Sequence, residues 1–441
     1  MAKFLVKGGN PLSGEIALAG SKNAATKLML ASLLTDEPCR LTNFPRIGDA
    51  EITEELCRAI GSEISRSGAV LTISTPKIKN STVQHLSRRN RIPILALGPL
   101  LARAGAAEVP VLGGDKLGQR PVNFHIRALE ALGAKIKITS TSFVATAKDG
   151  LRGSMIELPF PSVGATENSI LAAVLAQGRT IIKNAALEPE IISMIKMLQN
   201  MGAVIELGAE RDIYIEGVEH LRGVTHEVLS DRNEAVSFAC LSIATGGEVF
   251  LKGAIQEHLI TFLNVIRKAG VEYEVFSDGI KFLRPNSLKS VYVETAPHPG
   301  FMTDWQQPLA VLLTQAGSTG SPRAERVSTI HETIYEDRFG YVEDLNSIGA
   351  KIEVSKDCPD GRWCRFAGKG VPHVARIFGP TELRGGGKFA VRDLRSGMVD
   401  IIAALVAKGE SEIEGVEEID RGYENVDERL RKLGAEIQRK S

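Results

Sequence analysis

Net charge is the first thing missing from this chain: 53 lysines and arginines stand against 53 aspartates and glutamates, so the formal charge is zero. A protein without a global field is not drawn to nucleic acid or to an anionic membrane surface, and any anion site in it has to be assembled locally. Cysteine is scarce as well. The five present, Cys39, Cys57, Cys240, Cys358 and Cys364, form no CxxC pair and are odd in number, which fits reduced, mostly buried thiols better than a disulfide or zinc framework. Cys358 and Cys364 flank a Pro359-Asp360-Gly361 turn that could bring them together, and they read as two unpaired thiols on a hairpin. No spacing of histidine, cysteine and carboxylate suggests a metal, and no organic cofactor is implied either. Long apolar runs are also lacking: residues 92–104 are interrupted by Pro93, Gly98, Pro99 and Arg103, too short and too broken to span a bilayer. The N-terminus carries one short apolar run and then Gly8-Gly9, without the core of a signal peptide, so a cytoplasmic protein is expected.

What is present is an ordinary globular composition, 43% hydrophobic and 24% charged over 441 residues, long enough that a single core would normally split into two. A short signature, apolar-x-x-apolar-Gly-small-x-apolar, recurs along it. It reads CRAIGSEI from Cys57, LEALGAKI from Leu129 and LQNMGAVI from Leu198, then IRKAGVEY from Ile266, LNSIGAKI from Leu345 and LRKLGAEI from Leu430. Each copy predicts the end of an amphipathic helix, a glycine cap with positive φ, and a strand of alternating polarity such as Ala134 to Thr139, followed by a hairpin such as the one at Glu210-Arg211-Asp212. A second, more apolar helix recurs over 22–34, 91–103, 166–176, 231–244, 304–315 and 393–407.

Lys22, Arg91, Thr166 with Asn168, Asp231, Asp304 and Arg395 fall at or beside the predicted starts of these apolar helices. Ordinary capping accounts for Thr166 and Asp231. A cation at a helix N-terminus opposes the dipole, so Lys22, Arg91 and Arg395 suggest helix ends gathered around a bound anion.

Six segments carry a resemblance: GSKNAA from Gly20, ALGPL from Ala96, GQRPV from Gly118, EPEI from Glu188, APHPGF from Ala296 and IDRGYE from Ile419. In collinear order from Lys3 onward, they are similar to the UDP-N-acetylglucosamine 1-carboxyvinyltransferases. These form a branch of the enolpyruvyl transferase family, which includes 5-enolpyruvylshikimate-3-phosphate synthase. The resemblance implies an α/β (α+β) fold of two similar domains, each of three βαβαββ units forming an inside-out barrel. One domain spans 20–230 and the other 1–19 plus 231–441. It implies phosphoenolpyruvate and UDP-N-acetylglucosamine as substrates in peptidoglycan precursor synthesis, and no obligate protein partner.

By the same resemblance, Lys22, Arg120, Arg395 and Arg421 hold phosphoenolpyruvate, with Arg91 facing the diphosphate or the loop. Asn23 and Asp304 hold the amino sugar, and Asp304 accepts a proton. Arg120, Pro121, Val122, Asn123 and Phe124, the Ser162-Val163-Gly164 turn and Ile334 lie along the nucleotide, and His125 contacts a phosphate or orients the loop. Asp115, between Gly113-Gly114 and Gly118, stands where most members carry cysteine. It would deliver a proton to the methylene carbon of phosphoenolpyruvate, for which burial and the substrate phosphate must keep it protonated. A carboxylate there also predicts resistance to fosfomycin, which alkylates the thiolate. Phe160, where many members place a cation near the uracil, and Asn123, where an acidic residue is common, depart from the pattern. So does the long 317–326 stretch, which reads as an exposed loop. These departures keep a paralogue acting on another uridine nucleotide such as UMP in view, beside a shikimate-3-phosphate acceptor and a catalytically silent nucleotide-sugar binder.

Overall fold

The computed structural model describes residues 2–88, 90–111, 113, 122–317, 327–336, 338–359 and 364–440. By their contacts they form two compact units, one of Met1–Ala19 with Ser230–Ser441 and the other of Gly20–Gly114 with Arg120–Leu229.

The six signature glycines set the frame. Gly61, Gly133, Gly202, Gly270, Gly349 and Gly434 all adopt φ between 90° and 126°. In every case the residue after the glycine returns its N–H to the carbonyl of the signature's first apolar residue, as in Ala134 to Leu129 at 3.0 Å and Ala203 to Leu198 at 2.9 Å. Those first residues (Cys57, Leu129, Leu198, Ile266, Leu345 and Leu430) are all fully buried. The signature is thus a Schellman stop with its apolar anchor, written six times. At Gly202 a Cβ would meet nothing within 4 Å, so Gly202→Ala tests the backbone alone. It is expected to cost about 1–3 kcal/mol in urea unfolding, with catalysis unchanged.

One repeat shows the plan of all six. Strand Met155–Glu157 leads into helix Val163–Ala173 and returns as the parallel strand Arg179–Lys183; helix Pro189–Asn200 then feeds the hairpin Val204–Leu207 and Ile213–Glu216. The sheet runs in the order 204–207, 213–216, 179–183, 155–157. Among the described residues five sheets have four strands and the sixth, built on Ala106–Pro110, has three, with Thr82 bridging Glu108 in parallel. Some strands come from elsewhere in the chain. Thr225–Glu227 pairs with Cys39–Thr42. Lys3–Gly8 sits between Gly409–Glu414 and Glu436–Lys440, and Gly14–Ala17 pairs with Val249–Lys252. The N-terminal segment therefore completes two repeats of its unit. A bidentate Arg429–Glu234 pair, at 2.7 and 2.8 Å, ties it down further, because Glu234 accepts the Ala19 N–H and Arg429 donates to the Ala17 carbonyl.

Two kinds of helix follow from two kinds of sequence. In Leu394–Val406 every residue from Leu394 through Leu405 is buried, whereas Gln256–Lys268 buries only Leu259, Phe262, Leu263 and Ile266. A helix apolar all round goes to the centre, and one with a single stripe lies over a sheet. Each fully buried Leu, Ile or Phe contributes about 1.5–3 kcal/mol, so the central helices carry most of the core. Two predicted helix starts need correction. The helix containing Thr166 begins at Val163 with Ser162 as its cap; Thr166 lies inside it, where its hydroxyl accepts the Ala186 N–H at 3.0 Å. The helix predicted from Arg91 begins as a 3-10 turn at Pro93 and becomes α-helical at Leu97.

One buried carboxyl group, that of Asp400, has no role in the predicted site. Asp400 is 1% exposed, and neither carboxylate oxygen has a hydrogen-bond partner among the described residues. Burial, then Asp344 and Asp393, push its pKa well above the carboxylate range, against the opposing pull of Arg392. The unfolded chain ionises this group near pH 4 while the folded chain keeps its proton to higher pH, so the group's contribution is most favourable at low pH. Stability falls by about 1.4 kcal/mol per pH unit as pH rises through that window. Asp400→Asn removes this loss, so its stability relative to the native chain is expected to rise as pH increases above about 4 in parallel urea titrations.

Candidate active site

In the unit built on Gly20–Gly114 and Arg120–Leu229, Lys22 and Asn23 open the helix Lys22–Ala31, and Lys22 Nζ lies 2.9 Å from Asp49 Oδ2. A protein carboxylate, rather than only a bound anion, therefore offsets this cation at a helix start. Deeper in, Lys27 Nζ is 3.9 Å from Glu167, with Glu188 and Glu190 nearby. Burial raises the Glu167 carboxyl to about 7 despite Lys27, and burial lowers the Lys27 amine.

A second cluster forms where helices Asn123–Ala131 and Val163–Ala173 begin. Ser162 caps the latter through the Ala165 N–H at 3.4 Å, and Gly164 faces the His125 ring so closely that a Cβ would lie 2.9 Å from Cε1. Asn168 Nδ2 donates to the Ile94 carbonyl and to His125 Nδ1 at 3.3 Å, which leaves the imidazole proton on Nε2. Burial, with Arg91 adding to it, lowers the His125 pKa to about 3. His125 is therefore neutral at physiological pH and supplies a donor and a shape, not a charge. Val122 caps the helix that Asn123 and Phe124 start, and Phe160 is partly exposed just before Ser162.

In the other unit Asp304 lies in the 3-10 turn Thr303–Trp305 that leads into helix Gln306–Leu313. Its Oδ1 accepts Arg338 Nη2 at 2.5 Å and its Oδ2 accepts Arg395 Nε at 3.0 Å. Arg338 and Arg395 are only 2% and 6% exposed. Arg395 stands in the first turn of helix Leu394–Val406, where Asp393 forms a capping box and takes the Arg395 and Ser396 N–H groups. The guanidinium at this helix start is therefore balanced by Asp304, while Asp393 satisfies the free N–H groups of the helix end. Burial works against the charge on Arg395, but Tyr423, Asp304 and Asp231 outweigh it and hold the guanidinium protonated beyond its ordinary range. Arg395 Nη1 also donates to the Tyr423 hydroxyl at 3.1 Å, and Ser237 bonds that same hydroxyl at 3.1 Å. Arg421 is 8% exposed and pairs with Glu418 at 2.7 Å.

Glu332 and Arg338 carry this arrangement, and the sequence reading assigned neither of them. Glu332 is fully buried and accepts Thr303 Oγ1 at 2.7 Å, Gln306 Nε2 at 3.1 Å, and the Ile334 and Tyr335 N–H groups at 2.6 and 3.0 Å. It binds the turn that bears Asp304 to the segment that bears Ile334. Burial raises its pKa against the lowering effect of Thr303, Arg338 and the Tyr335 and Ile334 N–H groups. Glu332 lies two residues before Ile334 in the sequence and could have been sought there; Arg338 has no local signal. Among the described residues, Ser21 Oγ, Asn123 Oδ1, both amide atoms of Asn233 and Gln307 Oε1 are buried without a hydrogen-bond partner, and all belong to the first turns or caps of helices. Asp115, Arg120, Pro121 and 318–326 lie outside the described residues.

In both units, helices with many buried residues carry cations and amides at their N-termini. Over residues 6–430 the chain matches the family described as EPSP synthase (3-phosphoshikimate 1-carboxyvinyltransferase), and it belongs to that family. It is 46% identical to the UDP-N-acetylglucosamine 1-carboxyvinyltransferase of Protochlamydia amoebophila, covering 98% of this chain and 93% of that one. It is 46% identical to that of Chlamydia abortus over 99% and 98%, and 40% identical to that of Novosphingobium aromaticivorans over 100% and 99%. Among solved structures, the enolpyruvyl transferase NikO from Streptomyces tendae aligns with a TM-score of 0.86 at 22% identity, over 99% of this chain and 98% of that one. An EPSP synthase from Acinetobacter baumannii aligns with a TM-score of 0.74 at 18% identity, over 100% of both. No helix among the described residues is long and apolar enough to cross a membrane.

Proposed function

We propose that the protein transfers the enolpyruvyl group of phosphoenolpyruvate to the 3′-hydroxyl of UDP-N-acetylglucosamine, releasing phosphate, in peptidoglycan precursor synthesis. The near full-length identity to carboxyvinyltransferases of that name supports the acceptor. The observation that carries the chemistry is the Asp304 carboxylate held between the buried guanidiniums of Arg338 and Arg395. Asp115 protonates the methylene carbon of phosphoenolpyruvate, and the sugar hydroxyl adds to the neighbouring carbon as its proton passes to Asp304. From the tetrahedral ketal, phosphate then leaves with the proton held by Asp304, and one proton of the new methyl group returns to Asp115, which restores the vinyl group. Lys22, Arg120, Arg395 and Arg421 balance the carboxylate and phosphate charges throughout, a task for fixed cations that need no reorganisation during the reaction. Asn23, Val122, Asn123, Phe124, the Ser162-Val163-Gly164 turn and Ile334 bind the nucleotide sugar.

Purified protein with phosphoenolpyruvate is expected to release phosphate when UDP-N-acetylglucosamine is added. Release only with shikimate-3-phosphate, or only with UMP, would reassign the acceptor, and tight nucleotide-sugar binding without release would make the protein a silent binder.

A further inference from the structure

Four potential metal ligands converge far from Asp304 in the sequence. The ligand atoms of His331, Cys358, Cys364 and His373 all lie within 4.8 Å of one another. Cys358 Sγ is 3.4 Å from Cys364 Sγ and 3.3 Å from His373 Nε2. Zinc at its usual bond lengths to sulfur and nitrogen spans a tetrahedron with edges of about 3.3–3.8 Å, close to these separations. The sulfurs are well beyond the ~2.05 Å of a disulfide, and a disulfide gives no reason for two imidazoles to share the place. We propose that these four side chains form a structural zinc site of the Cys2His2 type, in addition to the active site.

The surroundings orient the set as a metal site requires. His331 ends strand Val327–His331 and pairs with Val374, so the ladder places it beside His373, whose N–H bonds the Ser355 carbonyl at 3.0 Å. His373 Nδ1 lies 2.7 Å from the Val371 carbonyl and must donate to it, which puts that ring's lone pair at Nε2, the atom facing Cys358. His331 Nδ1 lies 3.0 Å from the Glu294 carboxylate, which also accepts the Tyr292 hydroxyl at 3.1 Å, so the His331 lone pair is likewise at Nε2. A carboxylate or carbonyl behind each histidine is the outer-shell pattern that fixes zinc-binding tautomers. The Phe366 N–H points at Cys364 Sγ from 3.3 Å, and the fully buried Phe366 ring lies 5.9 Å from the His373 ring, an apolar wall on one side of the site.

Two thiolates neutralise the ion, and thiolate with imidazole selects zinc over calcium or magnesium. Four protein ligands leave no open position, so the role is structural. Because His331 adjoins Glu332, a bound ion would also fix the strand end that clamps the Asp304 turn.

The test is metal analysis of the full chain purified under reducing conditions without chelator. About one zinc per chain is expected, falling to near zero in the Cys358→Ser/Cys364→Ser double variant. Should that variant fold poorly, the native chain stripped of metal and loaded with cobalt(II) is expected to show the intense visible and thiolate charge-transfer absorption of a tetrahedral thiolate site. Glu294→Gln is expected to weaken zinc affinity by about 10–100-fold. A reduced chain that neither retains zinc nor takes up zinc or cobalt overturns the proposal, as does uptake that the double serine variant leaves unchanged. A Cys358–Cys364 disulfide whose reduction restores no metal binding overturns it as well.

Discussion

Asp304→Asn is expected to lower kcat by about 10²–10⁴-fold, the range for losing a positioned proton acceptor, with a much smaller change in nucleotide-sugar binding. Asparagine keeps the shape of the side chain but presents an N–H where a guanidinium also presents only donors. Arg338 and Arg395 then face one another across a neutral group at 2% and 6% exposure. Removing one partner of a buried ion pair costs about 3–5 kcal/mol, so the melting temperature should fall as well. Phosphate-release kinetics beside nucleotide-sugar titration by calorimetry separate the two effects. Retained binding with lost turnover fits a proton acceptor; loss of both together would make Asp304 only the counter-ion of two arginines.

Asp115→Cys is expected to convert an enzyme indifferent to fosfomycin into one that loses activity progressively and irreversibly with it. A carboxylate is a poor nucleophile toward an epoxide, whereas a thiolate is a strong one. Both groups can carry a proton, so the variant is expected to keep turnover within about 10-fold of the native enzyme, the loss that a shift in acid strength produces when geometry is retained. The check is residual activity against preincubation time, with the mass of the intact chain showing the adduct on the cysteine variant alone. Time-dependent inactivation of the native chain would remove Asp115 from its assigned place.

The parts of this molecule written in local sequence were legible. The glycine signature specifies a helix stop through backbone conformation and one apolar anchor, both short-range, and all six copies form it. The apolar helices were found because a helix without a polar face has nowhere to go but the centre. Their starts were less secure: Thr166, a good cap by residue type, is buried inside its helix because Ser162 is the cap three residues before the Ala165 N–H. Partnership across the chain was not legible. Nothing in the sequence joins Arg338 to Asp304, Asp49 to Lys22, or His331 and His373 to a cysteine pair. Sheet register and helix packing bring each of these sets together. The rule that a cation at a helix start awaits an anion was incomplete for the same reason, since Asp49 and Asp304 supply part of the negative charge.

The most direct measurement is the structure of the product formed from phosphoenolpyruvate and UDP-N-acetylglucosamine, read by mass spectrometry and by NMR of the sugar ring. The expected product is the nucleotide sugar bearing a vinyl ether carboxylate on its 3′-oxygen, in step with the phosphate released. Recovery of unaltered UDP-N-acetylglucosamine alongside free pyruvate and phosphate, or attachment at any other oxygen, would contradict the account.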